Sequence, residues 1–247
     1  MEFSKNLIEK FQQSQRIVVI TGAGISAESG IPTFRGEDGL WRKHRVEELA
    51  TPYAFQTNPK LVWEWYDWRR GIIANANPSP GHTAIAEMEQ IIPHFSLITQ
   101  NVDGLHRRAG TTKIIEIHGN LWQLRCVREG TLKEDYRVPL PEIPPKCECG
   151  ALLRPHVVWF GESLDNEDMS RSYRLLQDCS LLVVVGTSAV VQPVASFPLT
   201  AKRQGAFVVE VNTNPTPLSS MADESIIGKA GEVLPALLNT IKGTDIG

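Results

Sequence analysis

Arg16-Ile17-Val18-Val19-Ile20-Thr21-Gly22-Ala23-Gly24-Ile25-Ser26-Ala27 is the stretch that decides the fold, because an apolar strand runs straight into a glycine-rich turn. The β-branched residues 17–20 predict a buried strand. Gly22 and Gly24 allow the backbone to turn tightly and to lie against a pyrophosphate, with backbone N–H groups as donors. Ala27 occupies the position at which a small residue lets the following helix pack on the strand. The pattern alone equally fits an ordinary sharp turn. The strand before it and the polar helix start at Ser26 favour a nucleotide site.

The acid that binds a ribose in an ordinary dinucleotide fold is missing from its usual place. Such a fold has an Asp or Glu about 20 residues further on, at the end of a second strand. Here the chain continues into residues 34–41, a glycine-broken segment that carries the aromatic Phe34 and the cation Arg35. We therefore expect a lid at this point instead of an ordinary crossover.

The bulk composition limits the class of protein. The 247 residues are 42% hydrophobic, which predicts one large core with a smaller satellite domain. With 25 Lys and Arg against 28 Asp and Glu, the net charge of −3 gives no electrostatic footprint for nucleic acid or an anionic membrane. An amphipathic amino-terminal helix and the lack of an apolar run of about 18 residues predict neither a signal peptide nor a membrane span. We expect a cytoplasmic protein, with a monomer as the working expectation.

The rest of the chain alternates short apolar runs with helical segments. Runs at 95–98, 114–117, 181–185 and 207–211 are typical of buried parallel strands, and each ends in a polar cluster. Helices are expected around 82–91, 103–109, 193–204 and 232–242. The pattern predicts an α/β fold with a Rossmann-like parallel sheet, whose carboxyl edge binds the ligand.

Two stretches break this alternation and predict a second lobe. Residues 35–81 are helical and aromatic, and residues 119–152 are proline-rich and hold three of the four cysteines. We expect these two insertions to form a smaller helical plus cysteine-containing lobe. The large lobe then comprises about 1–34, 82–118 and 153–247, within a single catalytic region of residues 1–247.

Four separated motifs resemble the sirtuin family of NAD-dependent protein deacylases, and the resemblance covers essentially the whole chain. They are Gly22 to Arg35, Gln100-Asn-Val-Asp-Gly-Leu-His106, His118-Gly119 and Phe160-Gly161-Glu162. The resemblance implies that the acyl oxygen of a modified lysine attacks the anomeric carbon of the nicotinamide ribose. Nicotinamide leaves, the acyl group passes to the ribose as O-acyl-ADP-ribose, and free lysine is released. The partners are then acylated lysine peptides of proteins, with NAD as co-substrate.

The resemblance also assigns the catalytic and NAD-binding residues. His118 is the base for a ribose hydroxyl, a role suited to an ordinary pKa near 6.5, although a histidine that merely ends a strand is the simpler alternative. Asn101 contacts the ribose and a bound water, and Asp103 contacts the nicotinamide carboxamide, unless it only caps the following helix. Phe34 screens the reactive face and Arg35 approaches the phosphates. The remaining NAD contacts are assigned to Gly22, Ala23, Gly24, Ser26, Ala27, Gln100, Val102, Gly186, Thr187, Ser188 and Asn212.

The substrate-binding residues follow from two further likenesses. Residues 157–162 resemble the segment that pairs with an extended peptide, so Val158, Phe160 and Gly161 contact substrate and the Val158 carbonyl receives the substrate lysine N–H.

Tyr66, Arg69 and Ala50 match positions found in sirtuins of the desuccinylase and demalonylase subgroup. Tyr66 and Arg69 lie three apart on one helix face. Arg69 would pair with a distal acyl carboxylate, Tyr66 would donate a hydrogen bond to it, and Ala50 would leave room for the chain. The alternative is a solvated helix face beside a core tyrosine.

The cysteines depart from the family pattern of two Cys-x-x-Cys pairs, which hold structural zinc. Cys126 is followed by Glu129 where a second cysteine is expected, and the later pair, Cys147 and Cys149, is separated by one residue. Three thiolates with Glu129, a histidine or water would hold zinc, and a metal-free remnant is the alternative. Cys179 is expected in the core.

Three other classes of protein share parts of this pattern. A mono-ADP-ribosyltransferase uses the same nicotinamide release but leaves ADP-ribose on protein. A dehydrogenase is disfavoured by the missing ribose acid. A non-catalytic NAD-binding sensor has no use for His118, or for the pair Tyr66 and Arg69.

Overall fold

A six-stranded parallel sheet forms the centre of the molecule in the computed structural model, which describes residues 1–33, 40–41 and 44–243. The strand order is β11-β10-β9-β1-β4-β5, and every neighbouring pair is parallel. The strands are β1 (Arg16–Thr21), β4 (His94–Thr99), β5 (Ile114–Glu116), β9 (Leu181–Val185), β10 (Phe207–Asn212) and β11 (Glu224–Ile227).

Helices cover both faces of this sheet. They are α1 (Lys5–Gln13), α2 (Gly24–Ala27), α6 (Pro80–Ile91), α7 (Leu105–Arg108), α8 (Asn166–Asp178), α9 (Phe197–Arg203), preceded by a 3-10 turn at Val194–Ser196, and α10 (Ala230–Gly243). Alternate residues of β1 serve the two faces, because successive strand side chains point in opposite directions. Ile17 and Val19 pack with α1, α6 and α10, whereas Val18 and Ile20 pack with α8 and α9.

A separate smaller core lies beside the sheet. It joins α3 (Val46–Leu49), α4 (Pro52–Thr57) and α5 (Pro59–Asn75) to a three-stranded antiparallel sheet in the order β7-β6-β8. These strands are β6 (Gly119–Cys126), β7 (Leu132–Glu134) and β8 (Leu153–Val157), and a two-stranded ribbon is formed by β2 (Leu40–Trp41) and β3 (His44–Arg45). Arg70 of α5 is fully buried and donates to the Leu121 and Asp135 carbonyls, which ties the helices to the antiparallel sheet.

The predicted fold class is confirmed, with a Rossmann-like parallel sheet and a small lobe that contains the clustered cysteines. The expected helix over 103–109 is shorter, because Gly104 has a φ of 76° and the helix begins only at Leu105. The expected helix over 193–204 is divided into the 3-10 turn and α9. Helix α8 and the edge strand β11 were not predicted. Among the described residues no helix has the length and apolar character that a bilayer span needs.

Candidate active site

Hydrogen bonds join the ends of four parallel strands at the carboxyl edge of the sheet. The Asn101 side chain donates to the Gly22 carbonyl at 3.0 Å. Gln100 donates to the Thr187 hydroxyl at 3.0 Å, and Asn212 donates to the Thr187 carbonyl at 2.8 Å. The polar clusters after β1, β4, β9 and β10 therefore form one continuous surface, as the sequence predicts. Val102, between Asn101 and Asp103, is half-buried beside them, and Ser188 is half-buried after Thr187.

The glycine turn is shaped by the neighbouring loop after β9. A Cβ at Gly22 or Gly24 would lie 2.9 or 2.7 Å from backbone atoms of Gly186. The Gly22 and Gly24 N–H groups donate to the Val185 and Gly186 carbonyls. These two N–H groups are therefore occupied within the protein, and the expectation that backbone N–H groups of this turn bind a pyrophosphate stays a prediction.

Helix α2 follows directly from this glycine turn. It is a single turn that begins after the half-buried Ala23 and ends at Ala27, which is exposed. The prediction that Ala27 packs on the strand is therefore wrong, and the buried Ile25 makes that contact with the core.

A group of buried polar side chains lies beside this turn and consists of Ser26, Asn101, Asp103 and His82. We call these four residues the strand-end network. The Ser26 hydroxyl donates to the Asp103 carboxylate at 2.7 Å and accepts from Asn101 at 3.1 Å. The other Asp103 oxygen accepts from the Leu105 N–H at 2.8 Å, so Asp103 does cap the backbone before α7. Burial raises the pKa of Asp103, against the opposing hydrogen bonds from Leu105 and Ser26. Both N–H groups of the Asn101 side chain are used by Gly22 and Ser26, so Asn101 and Asp103 offer a ligand acceptor oxygens, which suit the NH2 group of a carboxamide.

His82 belongs to this network although sequence reasoning gave it no role. Its Nδ1 accepts from the Ser79 N–H at 3.1 Å, so its Nε2 carries the proton that faces the Ser26 hydroxyl at 3.4 Å. Burial lowers the pKa of His82 to about 4. The only signal in the sequence was its place in the first turn of a helix after Ser79 and a proline.

A second histidine lies behind the first. The His106 ring is 4.6 Å from that of His82, and its Nε2 is 2.9 Å from the Thr21 hydroxyl, which donates to Thr99. Burial holds the pKa of His106 well below its ordinary value. Both rings are therefore neutral at pH 7. His106 stood in a quoted motif, but nothing in the sequence indicated that it would be buried under the strand ends.

His118 is half-buried at the turn between β5 and β6. Its Nδ1 lies 3.1 Å from the Gln100 carbonyl, which can only accept, so Nδ1 carries the proton and Nε2 keeps a free lone pair. Burial lowers the pKa of His118. The turn depends on Gly119, where φ is 83° and a Cβ would overlap the His156 carbonyl. The geometry gives a neutral imidazole with one basic nitrogen.

Residues 157–162 connect this histidine to the small lobe. The Val158 N–H donates to the His118 carbonyl and the Phe160 N–H donates to the Ala50 carbonyl, both at 2.9 Å. Phe160 is half exposed, and Gly161 has a φ of 88°. The described hydrogen bonds leave the Val158 carbonyl without a donor, so it is available to an extended peptide.

Tyr66 and Arg69 lie on one face of α5, as predicted, and Ala50 lies close by at the end of α3. Tyr66 is fully buried, and its hydroxyl accepts a hydrogen bond from the Trp159 indole at 2.8 Å. Burial raises the pKa of Tyr66 to about 12, although the Arg69 cation and the Trp159 hydrogen bond oppose the rise. Burial also lowers the pKa of Arg69, whose guanidinium lies 5.1 Å from the Trp65 ring. Phe34 and Arg35 lie outside the described residues.

Four side chains of the small lobe form a possible metal centre. The ligand atoms of Cys126, Glu129, Cys147 and Cys149 all lie within 4.8 Å of one another. The Cys126 and Cys149 sulfurs are 3.5 Å apart, and the Glu129 carboxylate is 3.9 Å from the Cys147 sulfur. Tetrahedral zinc with bonds of about 2.3 Å to sulfur needs sulfur atoms about 3.8 Å apart. The group is therefore compatible with structural zinc. Cys179 is buried in the core, as predicted, and all four cysteines are free of disulfides.

Comparison with known proteins identifies the family. The chain matches the Sir2 family over residues 22–193. It is 57% identical over 231 residues to an NAD-dependent protein deacylase of Aquifex aeolicus (strain VF5), covering 93% of this chain and 97% of that protein. A solved Sir2 homolog–NAD complex has a TM-score of 0.95 and 46% identity over 100% of this chain and 96% of that one. A Sir2 complex with a p53 peptide and NAD⁺ has a TM-score of 0.86 and 30% identity over 99% and 100% of the two chains. Together with the joined strand-end motifs, these matches show that the chain belongs to the Sir2, or sirtuin, family.

Proposed function

We propose that this chain, an NAD-dependent protein deacylase of the Sir2 family, removes succinyl and malonyl groups from protein lysines and also removes acetyl groups. The observation that carries the proposal is the position of Tyr66 and Arg69 on one face of α5, where Tyr66 meets residues 157–162 through Trp159. A cation beside a neutral phenol suits a carboxylate at the far end of an acyl chain.

His118 is the proposed base. Because burial lowers its pKa, its imidazole is neutral at pH 7, and the Gln100 carbonyl holds the proton on Nδ1. The free Nε2 takes the proton from a ribose hydroxyl of the co-substrate. The acyl oxygen displaces nicotinamide from the ribose of NAD, and a water molecule then replaces the lysine nitrogen on the acyl carbon. The products are nicotinamide, O-acyl-ADP-ribose and free lysine.

The strand-end network holds the co-substrate in this proposal. Asn101 and Asp103 are fixed by Ser26, so their orientation is set before the ligand arrives. Asp103 contacts the carboxamide, and Asn101 contacts the ribose and a water. Thr187, Ser188 and Asn212 complete the contacts from β9 and β10, with the Thr187 hydroxyl oriented by Gln100. Phe34 and Arg35 keep their predicted roles over the ring and the phosphates.

Residues 157–162 bind the peptide. The Val158 carbonyl receives the substrate lysine N–H, and Phe160 and Gly161 pair with the extended chain. Since pairing uses backbone groups, affinity depends little on the peptide sequence. Ala50, whose carbonyl holds the Phe160 N–H, gives the acyl chain a small side chain as a neighbour.

The metal centre is structural in this proposal. Cys126, Cys147 and Cys149 supply thiolates, and Glu129 supplies the fourth ligand. Zinc here stabilises the turns after β6 and before β8 against each other. The chain forms a single catalytic region of two lobes, with β8 (Leu153–Val157) completing the antiparallel sheet of the smaller lobe. Its free cysteines suit a reducing compartment such as the cytoplasm.

A panel of lysine peptides tests the proposal. One peptide sequence carrying succinyl, malonyl or acetyl lysine is incubated with and without NAD and analysed by mass spectrometry. We expect deacylation of all three only with NAD, and preference for the acidic groups. Removal of groups without NAD, or no attack on any of them, would overturn the proposal, and labelled NAD retained on protein would indicate the mono-ADP-ribosyltransferase instead.

A further inference from the structure

We propose that Trp159 is a positioning residue for acyl selection, which directs the Tyr66 hydroxyl proton towards the acyl carboxylate. This inference rests on the proposed function, because it assumes that Tyr66 meets an acidic acyl group. The indole N–H of Trp159 donates to the Tyr66 oxygen at 2.8 Å, and the two side chains are 3% and 2% exposed. Ninety-three positions separate them in the chain, so the contact exists only in the fold.

The direction of this hydrogen bond determines what Tyr66 offers to a ligand. A phenol has one hydrogen to donate and lone pairs that accept. Since Trp159 occupies an accepting position, the hydroxyl hydrogen remains for another partner. Burial raises the pKa of Tyr66 to about 12, so the phenol keeps this hydrogen throughout the physiological range. A carboxylate can only accept, and it therefore matches this arrangement, with Arg69 supplying the opposite charge.

Contacts to the face of the indole and to the main chain of Trp159 hold this side chain in place. The Arg154 guanidinium lies 3.5 Å from the centre of the Trp159 ring. Arg154 also makes two hydrogen bonds to the Glu162 carboxylate, at 2.6 and 2.8 Å, and the same carboxylate accepts from the Trp159 N–H of the main chain at 2.9 Å. The Phe55 ring packs at 5.2 Å. These contacts leave the indole little freedom to turn, so its N–H is a fixed donor.

The position of Trp159 in the chain gives it a second connection. It lies between Val158 and Phe160, whose N–H groups bind the His118 and Ala50 carbonyls. The segment proposed to hold the peptide therefore also orients the residue that reads the acyl group. A mere core tryptophan would support both kinds of substrate equally, whereas a positioning residue would alter their ratio.

The test is a double-mutant cycle between Trp159→Phe and Tyr66→Phe. Each variant and the double variant are assayed for kcat/KM on succinyl-lysine and acetyl-lysine forms of one peptide with NAD. We expect Trp159→Phe to lower the succinyl-to-acetyl ratio by roughly three- to tenfold, the size of one lost hydrogen bond. In the Tyr66→Phe background the same change should leave the ratio unaltered, because the hydroxyl it positions is gone. Equal loss on both substrates, or additive effects in the double variant, would overturn the inference.

A second substitution removes the N–H with less change of shape. Replacing Trp159 by 3-benzothienylalanine puts sulfur where the indole has N–H, and it decides the matter if Trp159→Phe does not fold. The same fall in ratio is expected, and an unchanged ratio would refute the inference. If Arg69→Met lowers the ratio while neither Trp159 variant does, only this inference fails. If the wild-type enzyme leaves succinyl lysine untouched, the proposed acyl preference fails and this inference fails with it.

Discussion

The two sides of the proposed cleft are held together in different ways. On the sheet side, the strand-end network of Ser26, Asn101, Asp103 and His82 consists of polar groups that satisfy one another through hydrogen bonds. On the small-lobe side, Tyr66 receives one hydrogen bond, from Trp159, and otherwise packs against the rings of Trp63 and Trp65. A polar network tolerates few substitutions, because each lost partner leaves a buried group unsatisfied.

In the proposed function, this difference separates the reaction from the selection of its substrate. The groups proposed to serve every deacylation lie at the strand ends, where the backbone fixes them. The groups proposed to read the acyl chain lie on α5 and in residues 157–162. These elements reach the sheet side through the Val158 N–H, which donates to the His118 carbonyl, and through the charge of Arg69, which acts on Asp103. Substitutions on the sheet side should therefore affect all substrates, and those on the small-lobe side should alter ratios.

The largest effect is expected from His118→Ala, which should lower kcat by about 10²–10⁴-fold on every acyl substrate while NAD binding stays measurable. The reason is loss of a neutral imidazole whose Nε2 is free to take a proton. Single-turnover assays give kcat, and calorimetry gives the affinity for NAD.

The pH profile supplies the internal control for this variant. A base works only when neutral, so the wild-type kcat/KM should fall as pH drops through the pKa of His118. Because burial lowers that pKa, the fall should be centred below the ordinary 6.5. A near-normal rate for His118→Ala would remove this residue from the mechanism and break the contrast between the two sides.

Through His82, the strand-end network should also make the free energy of unfolding depend on pH below about 6.5. His82 has a pKa of about 4 in the folded protein and about 6.5 when unfolded. Above pH 6.5 both states are neutral and pH has no effect through this group. Between pH 6.5 and 4, His82 is protonated in the unfolded chain but neutral in the folded protein. The free energy of unfolding therefore falls by about 1.4 kcal/mol per pH unit, or roughly 3 kcal/mol by pH 4.

Urea unfolding of His82→Asn between pH 6.5 and 4.5 measures this contribution. The variant keeps an acceptor for the Ser79 N–H, and its free energy of unfolding should depend less steeply on pH by about 1.4 kcal/mol per unit. His94→Asn, at an exposed position in β4, is the matched control and should keep the wild-type slope. Identical slopes for His82→Asn and wild type would show that His82 takes up its proton normally in the fold.

The sequence predicted more of the sheet side than of the small-lobe side. The strand β9 is found at the predicted residues, and β1, β4, β5 and β10 lie within one residue of the predicted ends, because buried parallel strands are continuous apolar runs. Gln100, Asn101 and Asp103 were predictable for the same reason, since residues just after such strands must meet at one edge of the sheet. These side chains are close in sequence to the elements that place them.

Two contacts that join residues distant in sequence, His82 with Ser26 and Trp159 with Tyr66, were not predictable in this way. His82 lies in the first turn of a helix, and only the packing of α6 against α2 brings it to Ser26. Trp159 lies after β8 and Tyr66 lies on α5, so no local pattern relates them. The glycine turn has a second reason that local sequence does not show: the close approach of Gly186 leaves no room for a Cβ at Gly22 or Gly24, and that approach is a tertiary contact.

On the small-lobe side, Arg69→Met should lower desuccinylation by roughly ten- to a few-hundred-fold and deacetylation much less. A hydrogen bond to a charged group contributes about 1.5–3 kcal/mol, and about 1.4 kcal/mol is tenfold. Steady-state kcat/KM on matched succinyl and acetyl peptides measures the effect. Lys60→Met, an exposed cation of the same helix, is the control. Equal losses on both peptides would mean that Arg69 supports the lobe and does not select the acyl group.

The metal centre should give the smallest effect on catalysis, because it lies in the small lobe and supports the turns after β6 and before β8. Glu129→Ala should weaken zinc binding by about tenfold or more, since it removes one of four ligands. Competition with a chromophoric chelator measures the affinity, and the thermal midpoint should fall with it. Glu148→Ala, an exposed acid between the two cysteines, is the control.

Glu129→Cys should bind zinc at least as tightly and add a fourth thiolate, visible as stronger charge-transfer absorption after cobalt substitution. Unchanged affinity in Glu129→Ala would mean that three thiolates and a different fourth ligand hold the metal.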